Sequence, residues 1–158
     1  MKDLFDNYSE QPIYVAYGSN MEDAQMKHRC PQAQKIGSFY LPDYRLVFRG
    51  TADIEYSHGS QVPVVLWKIT SRCEKSLNRY EGFPDIYTKD YWTAGDDAYL
   101  AYTMNRKKYA PPVKEYYELI KRGYKTAGFG FEKLDDAVAH AFRNRTGNGH
   151  VPQRYQAR

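Results

Sequence analysis

The sequence predicts an α+β fold, a small mixed β-barrel of about six strands with flanking helices. Three observations lead there. The chain has 158 residues, enough for one domain and short for two. Several short β-prone runs, bounded by Gly, Pro, Asp and Ser, accompany about four amphipathic helical patterns. Strands and helices do not alternate as strict βαβ units, which argues for a curled or strongly twisted sheet. Hydrophobic residues are 42% of the chain and charged residues 27%, which excludes a wholly disordered protein. The low mean hydropathy of −0.79 reflects 16 Tyr, which bury as large rings with one wet end.

The elements follow in order. The N-terminal segment before Pro12 is polar and reads as a loose leader. Ile13–Tyr17 is short and β-prone and runs into the turn Gly18-Ser19-Asn20; Met21–Cys30 then reads as a helix closed by Pro31. Lys35–Leu41, Tyr44–Gly50 and Thr51–Tyr56 are expected as separate short strands, punctuated by Pro42-Asp43, Gly50 and the polar stretch Ser57–Gln61. Val62–Ile69 is the most apolar run, suited to a strand buried on both faces. Ser71-x-x-Glu74 has the form of a capping box opening a short helix that ends at Gly82. Strands are expected near Ile86–Trp92 and Ala98–Met104. A connector containing Ala110-Pro111-Pro112 leads to a helix over Val113–Arg122, with Val113, Tyr116, Tyr117 and Ile120 at helical spacing and Gly123 or Gly128 as its stop. Leu134, Val138, Ala141 and Phe142 mark a last helix, about Phe131–Arg143. Residues 1–143 are thus one domain, and 144–158 a flexible basic tail.

Net charge is +4, and no acidic residue follows Asp136 while Arg143, Arg145, Arg154 and Arg158 do. Four Arg on a terminal segment make a solvated tail rather than the dense basic face of a nucleic-acid binder. No run reaches the roughly 18 apolar residues of a membrane span, and the acidic start lacks an apolar signal core, so a cytoplasmic protein is expected. Cys30 and Cys73 lack CxxC spacing and the four His are scattered, so reduced thiols and no metal site are expected.

Two segments are candidates for chemistry. In Tyr17-Gly18-Ser19-Asn20-Met21 a strand leads in and a helix leads out, so successive N–H groups form an anion-binding nest with Ser19 and Asn20 as added donors. Taken alone, Gly-Ser-Asn is also an ordinary turn, with Asn20 as a helix N-cap. In Tyr80-Glu81-Gly82, Glu81 closes a short helix among Tyr80, Phe83 and Tyr87. A carboxylate at a helix C-terminus, desolvated by aromatic rings, has a raised pKa and suits general acid/base work. A surface Glu whose neighbours point elsewhere fits the same local sequence.

Together the two segments resemble the gamma-glutamylcyclotransferase-like superfamily. The Tyr-Gly-Ser-Asn turn is followed about 60 residues on by Glu81-Gly82, after the Trp67-Lys68-Ile69 strand and a helix; Ala110-Pro111-Pro112 before Tyr116 and Gly123-Tyr124 extends the likeness over Ile13 to Phe142. The resemblance implies a cofactor-independent enzyme acting on a small-molecule γ-glutamyl substrate. The substrate's α-amine attacks its own γ-carbonyl, 5-oxoproline forms and an amine or amino acid leaves. It casts Glu81 as the proton carrier, Gly18, Ser19 and Asn20 as binders of carboxylate or oxyanion, and Tyr17, Met21, Tyr87 and Tyr116 as further substrate-binding residues. The glutathione-specific branch tends to carry Leu where this chain has Asn20, so other γ-glutamyl amino acids, amines or isopeptides are the expected substrates. A non-catalytic relative binding an acidic small molecule or peptide end in the same pocket is the alternative.

Overall fold

The computed structural model describes residues 11–145. Five strands among them form one sheet in the order β2-β3-β1-β5-β4. β1 (Ile13–Ala16) lies at its centre, antiparallel to β3 and parallel to β5. The run Ile13-Tyr14-Val15 suits such a buried central position. β2 (Gln34–Arg49) and β3 (Thr51–Lys68) make one long antiparallel hairpin, and β4 (Tyr87–Ala94) and β5 (Asp97–Met104) make a second. The architecture is α+β as expected. Within the described residues, however, the sheet is open: β2 and β4 are its two edges, and α4 packs on β2.

Five strands replace the expected six because the first hairpin does not break where its punctuation falls. Lys35–Leu41 and Tyr44–Gly50 fall in β2, which ends at Arg49 and leaves Gly50 to the turn, and Thr51–Tyr56 and Val62–Ile69 meet in β3, which ends at Lys68. Pro42 pairs with Gln61 and Tyr44 with Tyr56, so residues 57–60 bulge out of the ladder. Asp43 turns the chain at φ 63, and its carboxylate accepts the Gly59 N–H at 2.9 Å. This side-chain bond satisfies a backbone donor at the bulge. Pro42, which has no N–H, is tolerated on this edge strand.

The helices differ from expectation mainly at their caps. Ser19–Met21 form a single 3₁₀ turn, and α1 (Asp23–Arg29) begins only after it. Glu22, not Asn20, caps α1: its carboxylate accepts the N–H groups of Ala24 and Gln25 at 3.3 and 2.9 Å. α2 (Ser71–Glu81) is capped by Thr70, whose hydroxyl accepts the Cys73 N–H at 3.1 Å, so Ser71 is the first helical residue rather than the cap. α2 ends at Gly82, whose left-handed φ of 69° favours glycine.

α3 (Lys114–Ala127) passes through Gly123 and stops at Gly128, with φ 84. Gly123 serves close packing: an added Cβ would lie 2.9 Å from Met21 Cβ. Val113, expected on the apolar face, is the exposed residue before α3, while Tyr117, Ile120 and Tyr124 enter the core. α4 (Glu132–Asn144) buries Leu134, Val138, Ala141 and Phe142, the face its spacing predicts. Of the expected tail, residues 146–158 lie outside the described residues.

A buried ion pair fixes the turn end of the first hairpin. Arg49 Nε meets Asp53 Oδ2 at 2.7 Å, with side chains 2% and 0% exposed. Arg49 also donates to the Lys107 carbonyl at 2.5 Å and to Glu55 at 3.1 Å, and Asp53 Oδ1 accepts the Met104 N–H at 3.0 Å. The 107–110 connector is thereby tied to the sheet, and Ala110 bridges to Arg49. Cys30 and Cys73 are buried thiols.

Candidate active site

The turn after β1, the start of β3, the end of α2 and Tyr116 of α3 enclose a cleft of about 210 Å³. Gly18, Ser19 and Asn20 line it on one side, and Glu81 with Tyr80 on the other. The open ends of secondary structure explain this arrangement. β1 delivers the turn to the cleft, and α2 stops at Gly82 with Glu81 as its last residue.

The turn's backbone fits an anion-binding role. The N–H groups of Met21 and Glu22 close back onto the carbonyls of Gly18 and Ser19 at 3.1 and 3.2 Å. The N–H groups of Gly18, Ser19 and Asn20 have no such protein acceptor among the described residues. Gly18 is favoured by crowding rather than by a positive φ: its φ is −120, and an added Cβ would lie 3.2 Å from Ala52 Cβ and 3.3 Å from the Tyr116 hydroxyl, which would have to give way by a few tenths of an ångström.

Glu81 is half-buried and accepts no hydrogen bond among the described residues. Burial pushes its carboxyl up to about 7, and the Arg29 guanidinium offsets part of that rise. The phenols of Tyr14, Tyr17, Tyr87, Tyr102 and Tyr116 lie close enough for a Glu81 carboxylate to raise their own pKa values, chiefly set by burial. These hydroxyls therefore remain protonated and neutral near pH 7, and Arg29 is the one charged side chain acting on Glu81 among the described residues.

The sequence-derived candidates do not all present the same atoms to the cleft. Asn20 lines it, but both ends of its amide are engaged: Nδ2 donates to the Tyr14 hydroxyl at 3.0 Å and Oδ1 accepts from Arg29 at 2.9 Å. Its carbonyl accepts the Trp67 indole N–H at 3.1 Å. Of Asn20, only the backbone N–H is left for a ligand. Ser19 Oγ lies 3.4 Å from the Tyr80 hydroxyl. Tyr17 lines the cleft with its ring while its hydroxyl donates to the Tyr102 carbonyl. Tyr87 donates to the Ala52 carbonyl at 2.9 Å and contacts Thr51 Oγ1 at 2.7 Å. Tyr116 accepts the Ala52 N–H at 3.0 Å.

Met21 is the exception. It is fully buried against Gly123, off the cleft lining, because the 3₁₀ turn swings its side chain into the core. Tyr14, Tyr80 and Tyr102 also line the cleft, and the sequence does not single them out as site residues. Tyr14 carried a usable signal: it stands on the strand that delivers the turn. Arg29, whose guanidinium stacks 3.3 Å from the Tyr80 ring centroid, carried none.

The family model for Gamma-glutamyl cyclotransferase, AIG2-like, matches residues 14–123. The chain belongs to that family. A gamma-glutamylcyclotransferase of Homo sapiens is 29% identical, the match spanning 92% of this chain and 87% of the human protein. A gamma-glutamylcyclotransferase of Bos taurus is 28% identical over 83% and 79%. The fold agrees with a solved gamma-glutamyl cyclotransferase structure at a TM-score of 0.67 and 24% identity, covering 90% of this chain and 94% of that one. An uncharacterized protein from Pyrococcus horikoshii shares the fold more distantly, with a TM-score of 0.51 at 12% identity over 61% and 80%. The family match includes the Gly18–Asn20 turn, all of α2 with Glu81, and Tyr116. No helix of the described residues is long and apolar enough to cross a membrane.

Proposed function

We propose that this family member cyclises a γ-glutamyl group to 5-oxoproline and releases the amine on the other side of the γ-amide, with Glu81 carrying the proton. The observation that carries this reading is Glu81 itself, a carboxyl that has no hydrogen-bond partner among the described residues, shares its cleft with three N–H groups likewise unpaired among them, and has its pKa raised to about 7. A group that must take a proton and then return it works best with a pKa near the working pH.

In this reading the Glu81 carboxylate accepts a proton from the substrate's α-ammonium. The freed amine attacks the γ-carbonyl carbon and a C–N bond forms. The attacking nitrogen still carries two protons and gives up one of them as the γ-amide C–N bond breaks; the departing nitrogen takes that proton and the one held by Glu81, leaves as an ammonium, and Glu81 is restored as a carboxylate. The N–H groups of Gly18, Ser19 and Asn20 bind a substrate carboxylate or the developing oxyanion. Ring closure is intramolecular, so the cleft's main task is to hold the chain folded with amine and carbonyl in contact.

Incubation with a panel of γ-glutamyl amino acids, γ-glutamyl amines, γ-glutamyl isopeptides and glutathione, with 5-oxoproline quantified, tests the reading. It predicts 5-oxoproline from at least one of the first three classes, with glutathione among the poorer substrates. Binding of γ-glutamyl compounds without any 5-oxoproline would favour the non-catalytic alternative.

A further inference from the structure

The tyrosine hydroxyls around the cleft fall into two kinds. Tyr17, Tyr87 and Tyr102 spend their protons on protein acceptors: the Tyr102 carbonyl, the Ala52 carbonyl at 2.9 Å and Asn78 Oδ1 at 2.5 Å. Tyr14 differs. The bond between Tyr14 and Asn20 has a direction that Arg29 dictates. A guanidinium can only donate, so the Asn20 atom 2.9 Å from Arg29 must be Oδ1, which leaves Nδ2 to face Tyr14 at 3.0 Å. An amide nitrogen in turn only donates, so the Tyr14 oxygen is the acceptor and its own proton is left over. Tyr14 is 4% exposed and lines the cleft, and its hydroxyl makes no other hydrogen bond among the described residues.

We propose that Tyr14 is a hydrogen-bond donor to a substrate oxygen in the cleft, and that Arg29 and Asn20 are the positioning residues that aim its proton there. This inference rests on the γ-glutamyl reading of the cleft and adds a substrate contact to it. A buried hydroxyl proton without a protein acceptor is costly unless a ligand or water completes it. A γ-glutamyl group brings both a carboxylate and a carbonyl oxygen. Burial raises the Tyr14 phenol well above its ordinary pKa, so the proton stays in place for donation. Tyr116 is arranged similarly, accepting the Ala52 N–H at 3.0 Å, but its direction is set by a backbone amide and not by a side-chain relay.

The relay is tested by reversing it. Tyr14→Phe removes the donor and keeps the ring. Asn20→Asp keeps the size and the Arg29 contact, but a carboxylate accepts from both neighbours and turns the Tyr14 proton away from the cleft. Each variant is expected to lose roughly 10–100-fold in kcat/KM for 5-oxoproline formation, the scale of one lost donor to a charged or developing-charge oxygen. The double variant is expected to lose no more than the worse single one, because both remove the same bond. A Tyr14→Phe variant with wild-type kcat and KM overturns the proposal, as do fully multiplicative losses in the double variant. Should Asn20→Asp fail to fold, it is replaced by Arg29→Met, which frees the amide to turn; because that change also raises the Glu81 pKa further, non-additivity with Tyr14→Phe is then read on the high-pH plateau of kcat/KM, where Glu81 is ionised in every variant.

Calorimetric binding of the best-bound γ-glutamyl amino acid separates this proposal from the reaction it rests on. If wild type binds that compound without turnover, the reaction reading falls, and a tenfold or greater weakening in Tyr14→Phe still supports the donor. If wild type neither binds nor turns over any γ-glutamyl compound, both are overturned.

Discussion

Asp53 is buried more deeply than Glu81, yet it is Asp53 that is fully satisfied. One of its oxygens takes the Arg49 guanidinium at 2.7 Å and the other takes the Met104 N–H at 3.0 Å. Glu81 is half-buried and accepts no hydrogen bond among the described residues. The neighbouring Glu55 extends the contrast. Burial alone would raise its carboxyl, but hydrogen bonds from Arg45 and Tyr109 and the nearby guanidinium charges hold it below the ordinary range. At Glu81 the same desolvation acts against a single, more distant cation, and the carboxyl rises to about 7. Burial therefore does not decide what a carboxyl is for; the partners supplied with it do. The Arg49 cluster uses its charges to hold the hairpin and connector together, whereas the cleft leaves a carboxyl with no hydrogen-bond partner among the described residues.

The contrast breaks most visibly at Asp53. Asp53→Asn removes the charge facing a buried guanidinium and is expected to cost about 3–5 kcal/mol of stability, measured by urea unfolding. A loss under about 1 kcal/mol would mean that Glu55 alone is a sufficient partner for Arg49.

Gly18→Val should act on the other side of the comparison. Its Cβ would crowd Ala52 and the Tyr116 hydroxyl, 3.2 and 3.3 Å away. A displacement of the turn by a fraction of an ångström should lower kcat/KM by roughly 10²-fold, with a smaller effect on unfolding than Asp53→Asn. Normal kinetics in Gly18→Val would show that the turn does not approach the substrate.

The smallest of these effects is at Glu55, whose side chain is 25% exposed. Glu55→Gln is expected to cost on the order of 1 kcal/mol near neutral pH, after allowance for solvent screening. Because the folded pKa of Glu55 is lowered, its contribution is present above the ordinary carboxyl value of 4.5 and fades as pH falls through the lowered folded value. Wild type and Glu55→Gln should therefore converge in acid; a gap that persists there would assign the loss to packing.

The residues of the candidate cleft were more legible in the sequence than the sheet. Tyr17 to Asn20 and Glu81-Gly82 announce themselves through local chemistry, a glycine turn between strand and helix and a carboxylate at a helix end. Both reach the same cleft. The join of the early strands was hidden because it depends on Asp43 bonding the Gly59 amide, a contact 16 residues apart that Pro42-Asp43 disguises as a strand end. The cap of α2 falls one residue earlier than the capping-box pattern implies because Thr70 and Ser71 are both good caps, and it is the Thr70 hydroxyl that accepts the Cys73 N–H. Asn20 was rightly placed at the turn, but its side chain serves Tyr14 and Arg29, and Arg29 lies on the far end of α1, beyond the reach of any local pattern.

The most direct test compares wild type with Glu81→Gln across pH, in turnover and in thermal stability. Glutamine keeps the shape but cannot take or return the proton, so 5-oxoproline formation is expected to fall roughly 10²–10⁴-fold. Wild-type kcat/KM should itself decline below about pH 7, as the free enzyme's carboxylate protonates. Stability should move the other way. With the folded pKa raised from 4.5 to about 7, the folded state holds its proton more tightly than the unfolded chain, so wild type loses stability as pH rises through that window. Glu81→Gln escapes that loss and should melt higher than wild type above pH 7, with the difference closing toward pH 4.5. A folded Glu81→Gln enzyme with wild-type turnover, or one no more stable than wild type at pH 8, would contradict the account of Glu81 as a desolvated proton carrier.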